Sequence, residues 1–142
     1  LRKDIVKCRA CMRLVEFRER IAKEKTKRFL EQDYWGKPVP GFGPPDARLV
    51  VIGLAPAAHG GNRTGRVFTG DLSAKFLMKG LYDAGFANQP SSDSIDDSLV
   101  LKDCYILAAV RCVPPDNIPT REEMQECFPF LRRELDLLAN SR

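Results

Sequence analysis

An α/β layered domain is the fold class this sequence predicts, and two observations carry the expectation. Two short apolar runs, Leu49–Ile52 and Cys104–Val110, read as strands buried in a parallel sheet. Each is followed by a loop rich in Gly or Pro and then by a segment of helical periodicity, the order expected of a parallel sheet covered by helices. The 142 residues have room for one domain, 1–142, and not comfortably for two. With 44% hydrophobic and 8% aromatic residues the chain can bury an ordinary globular core.

Taken in order, Leu1 to Arg28 reads as mostly helical, with Leu14, Phe17 and Ile21 on one apolar stripe. These 28 residues hold eleven Lys/Arg against four Asp/Glu, a net of +7, while the remainder holds twelve against fifteen. A basic end on a near-neutral body suits contact with a polyanion, nucleic acid above all, although a solvated charged helix face would look the same. Glu31 to Asp46 is too dense in Pro and Gly for regular structure, yet its Tyr34, Trp35 and Phe42 predict that it packs on the body. After the first strand, Leu72 to Phe86 reads as a helix with Leu77, Leu81 and Ala84 on one face. Ala87 to Ser98 reads as an exposed polar loop. Arg111 to Pro119 forms a second, Pro-rich loop beyond the second strand. Thr120 and Glu123 make a capping box for a final helix carrying Met124, Cys127, Phe128, Leu131, Leu135 and Leu138, with Pro129 as a point of break or kink.

No apolar run reaches the roughly 18 residues of a membrane-spanning helix. The charged N-terminus lacks a signal-peptide core, and it starts without Met, so a trimmed or partial chain is expected. Five cysteines, an odd count without a secretory signal, argue against a disulfide framework and for a reducing, cytoplasmic compartment.

The chain is organised around Gly53 to Asp71, which links the first strand to the helix after it. The stretch holds four glycines beyond Gly53, the only histidine (His59), Arg63, Arg66, Phe68 and Asp71. Glycines let a backbone turn sharply and approach a ligand. Gly60 and Gly65 have P-loop spacing but are followed by Arg66-Val67 in place of Lys-Ser/Thr, and no dinucleotide fingerprint follows the strand. A nucleotide cofactor is therefore disfavoured.

The cysteines predict a metal centre. Cys8 and Cys11 have the C-x₂-C spacing that lets two thiolates converge. Cys104 and Cys112 would lie roughly 25 Å apart if joined by a strand rising about 3.3 Å per residue, so they cannot share a centre. Cys112 lies just past the strand, and Cys127 about two turns into the helix folding back from it, so these two can meet. The inferred ligands are Cys8, Cys11, Cys112 and Cys127, with Cys104 a free thiol in the sheet. Four thiolates suit structural zinc or an iron–sulfur cluster, and the uneven second spacing with its neighbouring prolines favours a 4Fe–4S cluster.

The Gly53–Asp71 stretch closely resembles the first motif of the iron–sulfur uracil-DNA glycosylases, in particular their type-B (family five) branch. The N-terminal C-x₂-C, Val110-Arg-Cys-Val-Pro-Pro-Asp-Asn117, Pro119-Thr-x-Glu-Glu and Cys127-x-Pro resemble that family as well. The resemblance covers nearly the whole chain. It implies a three-layer αβα fold with a central, mainly parallel sheet, a 4Fe–4S cluster on the four cysteines, and excision of uracil from DNA during repair; a monomeric state is expected, and the apolar first-motif position leaves acceptance of other deaminated bases open. A base glycosylase extrudes its target nucleotide into a pocket and holds it by stacking and edge hydrogen bonds. By the resemblance, Phe68 stacks on the flipped base, and backbone amides around Ala55 and Ala57 contact it. Where other branches place Asp, Asn or Glu this chain has Leu54 and Ala55, neither of which can activate water, so the polar work falls elsewhere. Asp71 is the candidate for positioning water or stabilising the sugar cation, although it is also a good helix N-cap. Asn117 and His59 are further catalytic candidates. Arg63, Arg66 and Arg111 are candidates for phosphate or structural contacts, Arg66 among the substrate-binding set.

One departure from the family pattern is plain. These enzymes carry a His-Pro-Ser turn near the C-terminus, and this chain has no histidine after His59. Roughly the last third of a typical member is expected to be missing, with little or no glycosylase activity from the 142 residues alone. The rival function classes are a non-catalytic iron–sulfur nucleic-acid-binding module, which would not need Phe68 or Asp71, and a redox protein, for which no flavin or nicotinamide fingerprint exists.

Overall fold

The computed structural model describes residues 1–140. Its element order is α1 (Arg2–Val6), α2 (Met12–Glu24), β1 (Leu49–Gly53), α3 (Gly61–Thr64), α4 (Leu72–Asp83), β2 (Cys104–Ala108) and α5 (Arg121–Asn140), with short 3₁₀ turns at Lys27–Phe29 and Pro115–Asn117. The two expected strands pair in parallel, in register from Leu49 opposite Cys104 to Gly53 opposite Ala108. The far edge of β2 takes an antiparallel bridge from the Pro/Gly-rich segment, where Phe42 and Ile106 exchange backbone hydrogen bonds of 2.9 Å. That bridge explains how a stretch unable to form regular structure still packs on the body.

The main core lies against β2, whose Ile106 and Ala108 are packed with Met78 and Leu81 of α4 and with Val39 and Val67 from the flanking loops. A second apolar cluster joins Leu14 of α2 to Val110 and Cys112 beyond β2, with Cys11 and Ala55 against it. β1 departs from its expected full burial. It is paired on one side only among the described residues, and Ile52 is 50% exposed. Leu54, Leu72 and Phe76 are also exposed.

Helix boundaries follow local chemistry. Asp71 caps α4, its Oδ1 accepting from the Ala74 amide at 2.7 Å. α4 stops at Asp83, not Phe86, because the chain turns out at Gly85 with φ +88°, a left-handed position that ends helices. The capping box at α5 is formed reciprocally, Thr120 N donating to Glu123 Oε1 at 2.8 Å and Glu123 N to Thr120 Oγ1 at 3.1 Å. α5 then runs unbroken through Pro129, which lies on its exposed side and forfeits one backbone donor there.

The buried face of α2 is Leu14, Val15 and Arg18, rotated from the expected Leu14, Phe17, Ile21 stripe. The reason is Arg18, which lies within the fold and takes partners there. The loop after α4 also folds inward: Ser92 is buried, and Asp97 forms an ion pair inside the protein.

Candidate active site and cysteine cavity

The strand–loop–helix junction opens into a cleft. The loop after β1 supplies Leu54 to Gly60, the start of α4 supplies Asp71 to Ser73 and Lys75, and the second loop contributes Asn117. Of the residues singled out from sequence, Ala55, Ala57, His59, Phe68, Asp71 and Asn117 all line this one cleft. It encloses about 2260 Å³ of non-atom space and is open to solvent. Arg28, Phe29 and Gln32, reached by no motif argument, close one side of it. Their only sequence signal is the basic character of the N-terminal segment.

Phe68 sits half-buried beside the end of β1 with φ +48°, a left-handed conformation that an aromatic residue seldom adopts. A Cβ on Gly53 would come within 2.8 Å of Phe68 Cε2, so the ring lies against a spot that only glycine leaves clear. Asp71 Oδ1 is committed to the helix cap, and its Oδ2 has no hydrogen-bond partner among the described residues. A Cβ on Gly60 would meet that Oδ2 at 2.8 Å, so the loop backbone passes close to the carboxylate. The amides of Ala55 and Ala57 likewise have no acceptor among the described residues.

His59 Nδ1 is hydrogen-bonded to Tyr34 Oη at 2.8 Å, with the two rings edge to face. Burial, and then the Arg63 guanidinium, hold its pKa below the ordinary value, which favours the neutral ring at pH 7. Asn117 is exposed at the turn after Pro114, and it and Asp116 both have positive φ, 59° and 57°. That geometry presents Asn117 to the cleft from the second loop.

The two arginines of the loop part company. Arg63 lines the cleft while buried, donating through Nε to His59 O and through Nη1 to Gln32 Oε1, each at 2.6 Å, with its guanidinium carbon 3.9 Å from the Phe29 ring centre. Arg66 lies outside the cleft, in place of the substrate contact expected of it. Its guanidinium is turned into the protein, where Nε donates to Thr69 Oγ1 and Nη2 to Ser92 Oγ and both Asp97 oxygens, all at 3.0 Å. Arg63 lies in the single turn of α3 and Arg66 follows it past the left-handed Gly65, so a three-residue spacing carries no signal of which arginine faces the ligand.

A narrower cavity, about 330 Å³ of non-atom space, lies at the other pole of the second loop. Cys8, Cys11, Cys112 and Cys127 all line it, together with Arg18, Arg111 and Glu126. Cys104 is apart, fully buried in β2. Two arginines bring the two pairs together, and a third contact ties the second pair to itself. Arg13, two residues past Cys11, grips Glu123 with Nε to Oε2 at 2.9 Å and Nη2 to Oε1 at 2.7 Å. Arg18 Nη1 donates to Cys112 Sγ at 3.1 Å and to Cys8 O at 3.2 Å. The Arg111 amide donates to Cys127 Sγ at 3.4 Å. Burial pushes the Cys112 thiol up to about 11, and burial followed by the neighbouring Cys127 pushes Cys11 equally far. Among the described residues no group of three or more His, Cys, Asp or Glu side chains is set to hold a metal ion.

Comparison with known proteins places these features in a family. Residues 40–142 match the profile described as the Uracil DNA glycosylase superfamily. The chain is 49% identical over 98% of its length to a type-5 uracil-DNA glycosylase of Mycobacterium leprae, and 49% identical over 93% to one of Pyrobaculum aerophilum. It is 50% identical over 95% to one of Thermus thermophilus. It spans 61%, 58% and 61% of the lengths of those three proteins. Type-4 uracil-DNA glycosylases are more distant, at 31% identity over 70% of the chain for that of Thermotoga maritima.

Proposed function

The chain belongs to the uracil DNA glycosylase superfamily, and on that premise we propose that it carries the base-binding cleft of an enzyme that excises uracil from DNA. The observation that carries this reading is the single cleft lined by Phe68, Asp71, Asn117, His59 and the Ala55–Ala57 backbone, with half the residues shared with type-5 uracil-DNA glycosylases along nearly the whole chain.

The cleft suits the chemistry. Breaking the N-glycosidic bond builds positive charge on the sugar and negative charge on the departing base. A ring fixed at the strand end gives the extruded base a surface to stack on, worth about 1–3 kcal/mol for a base on an aromatic side chain. The unpartnered amides of Ala55 and Ala57 are donors for the base's carbonyl edge. Asp71 keeps one oxygen for its helix and offers the other to the sugar cation or to the water that adds to it; capping and catalysis are compatible because they use different atoms. His59, held neutral and tethered to Tyr34, is a hydrogen-bond partner and not a charge. Arg28, Arg63 and Lys75 around the rim suit the phosphates flanking the flipped nucleotide. Uracil-containing DNA is the proposed partner, and one chain per site the proposed assembly.

The four cavity cysteines are the proposed ligands of a 4Fe–4S cluster. Two buried arginines support that assignment. Arg18 Nε and both Arg111 Nε and Nη2 are buried without a hydrogen-bond partner among the described residues; Arg111 is ion-paired with Glu134 through Nη1, whereas Arg18 has only Glu19 at 4.0 Å, so unmet donors stand beside four thiols. Four thiolates around an inorganic core supply the negative charge those donors lack. When bound, such a group would tie the N-terminal helices to the second loop. The whole of 1–142 is proposed to act as one domain, because residues of both terminal halves meet in this cavity.

The test is a pair of substitutions in the cleft. Phe68→Ala and Asp71→Ala should each slow uracil release from a defined duplex at least tenfold, with DNA binding changed much less. Equal losses in release and in binding would point to a nucleic-acid-binding module instead.

A further inference from the structure

Arg18 reaches both functional regions. Only 2% of it is exposed, and its carboxylate neighbour does not neutralise it: Glu19 Oε1 is 4.0 Å from Nη2 and already bound to Arg9 at 2.5 Å. Burying a guanidinium is costly without compensation. Its Nη1 instead meets Cys112 Sγ at 3.1 Å and Cys8 O at 3.2 Å, one contact to each half of the cysteine set. The carbonyl of the same residue accepts Asn62 Nδ2 at 3.2 Å. Asn62, 1% exposed with its Oδ1 unpartnered, belongs to α3 in the Gly-rich loop. Its amide donates to Ala57 O at 3.0 Å, and its own carbonyl accepts from Gly36 N at 3.0 Å. A continuous run of short contacts therefore leads from a cavity sulfur, through one turn of α2, to a residue lining the base cleft.

We propose that Arg18 is a positioning residue that couples the cysteine-bound group to the base-binding loop, holding Cys112 sulfur at one end and the Asn62–Ala57 turn at the other. This rests on the 4Fe–4S reading of the cavity. A cationic donor on a ligand sulfur favours the more reduced, more negative state of the group, so Arg18 raises its reduction potential. The same contact fixes the side chain of Arg18, and hence the place of its carbonyl under Asn62. Gain or loss of the group then alters the order of the cleft without any ligand moving between the two sites.

Iron-loaded wild-type, Arg18→Met, Arg18→Lys and Asn62→Ala proteins test this by reduction potential and by amide hydrogen exchange across 57–65. Arg18→Met should shift the potential to more negative values and reduce protection of 57–65 by about twofold to fivefold, less than the loss of a whole hydrogen bond because the backbone carbonyl that Asn62 meets is kept and only its anchoring is lost. Arg18→Lys, which keeps the charge and one donor, should recover most of the potential but not all of the protection. Asn62→Ala should loosen the loop and leave the potential unchanged. Should Arg18→Met fail to hold iron, Arg18→Lys decides, and wild-type values for both readings in it overturn the inference. An iron-loaded Arg18→Met protein matching wild type in both also overturns it, as does an Asn62→Ala protein with full loop protection. Wild-type protein that takes up no iron overturns the cofactor reading itself and this inference with it.

Discussion

The cleft and the cysteine cavity are built in opposite ways. Most of the cleft comes from one contiguous stretch, Gly53 to Lys75, whose shape is set by local rules: a strand end, a helix cap at Asp71 and glycines where the backbone must clear Phe68 and the Asp71 carboxylate. The cavity is assembled from Cys8 and Cys11 at one end of the chain and Cys112 and Cys127 at the other. It places buried arginine donors beside thiols whose burial resists ionisation. The first region is shaped by local backbone rules; the second leaves arginine donors without partners among the described residues. One lesson is that unpaired buried polar atoms, here on Arg18 and Arg111, mark where a proposed ligand site should be tested.

The sharpest way to break that contrast is at the sulfurs. Cys112→Ser should abolish bound iron and acid-labile sulfide and leave the N-terminal helices unanchored, whereas Cys104→Ser should retain full iron at a cost of about 1–3 kcal/mol for a buried hydroxyl. Iron analysis with thermal melting of both variants measures this; equal iron loss would end the distinction between the two cysteines.

Next in size is the buried pair that braces the cleft loop. Asp97→Asn leaves Arg66 without its counter-charge and should destabilise the protein by about 3 kcal/mol in urea titrations. A loss below about 1 kcal/mol would mean that Thr69 and Ser92 alone satisfy the guanidinium.

Gly53→Ala addresses the cleft without touching the cavity. The added methyl must displace the Phe68 ring, costing about 1–3 kcal/mol in overpacking and weakening capture of uracil-containing DNA, with bound iron unchanged. Quantitative binding to a duplex with and without uracil reads the effect.

The smallest expected effect is the titration of His59. Its folded pKa lies below the ordinary value near 6.5. The stability it contributes is therefore fully present above about pH 6.5 and is lost as pH falls toward the folded value. The Asp97 carboxyl is pushed up by burial, but the Asp93 and Leu99 amides and Arg66 outweigh this and hold its pKa below its ordinary value near 3.9, so its contribution is lost only at lower pH. Melting curves between pH 7 and 5 should thus show a modest fall in the wild type that is absent in His59→Gln.

Features fixed by near neighbours in sequence were legible. The Asp71 cap, the Thr120–Glu123 box and both strands follow from spacing and residue type alone. Geometry along the chain also sufficed to set Cys104 apart from the four cavity cysteines. What stayed hidden depends on distant partners. Arg18 on an amphipathic helix looks like solvated charge, and only the arrival of Cys112 explains why it is buried in place of Phe17 or Ile21. The same holds for Asp97, which reads as part of a polar loop until Arg66 is seen turned toward it. β1 was expected to be enclosed because an apolar run carries no information about how many neighbours a strand has.

Phe68, Asp116 and Asn117 share left-handed backbone angles, and two of these three side chains border the base cleft. Torsions of this kind cost an L-residue about 1–3 kcal/mol each. Heat-tolerant variants will therefore be easiest to obtain by relaxing these positions, and a gain at Phe68 or Asn117 will disturb the aim of a side chain that borders the cleft. An engineer seeking robustness should leave them alone and look to the far side of α4.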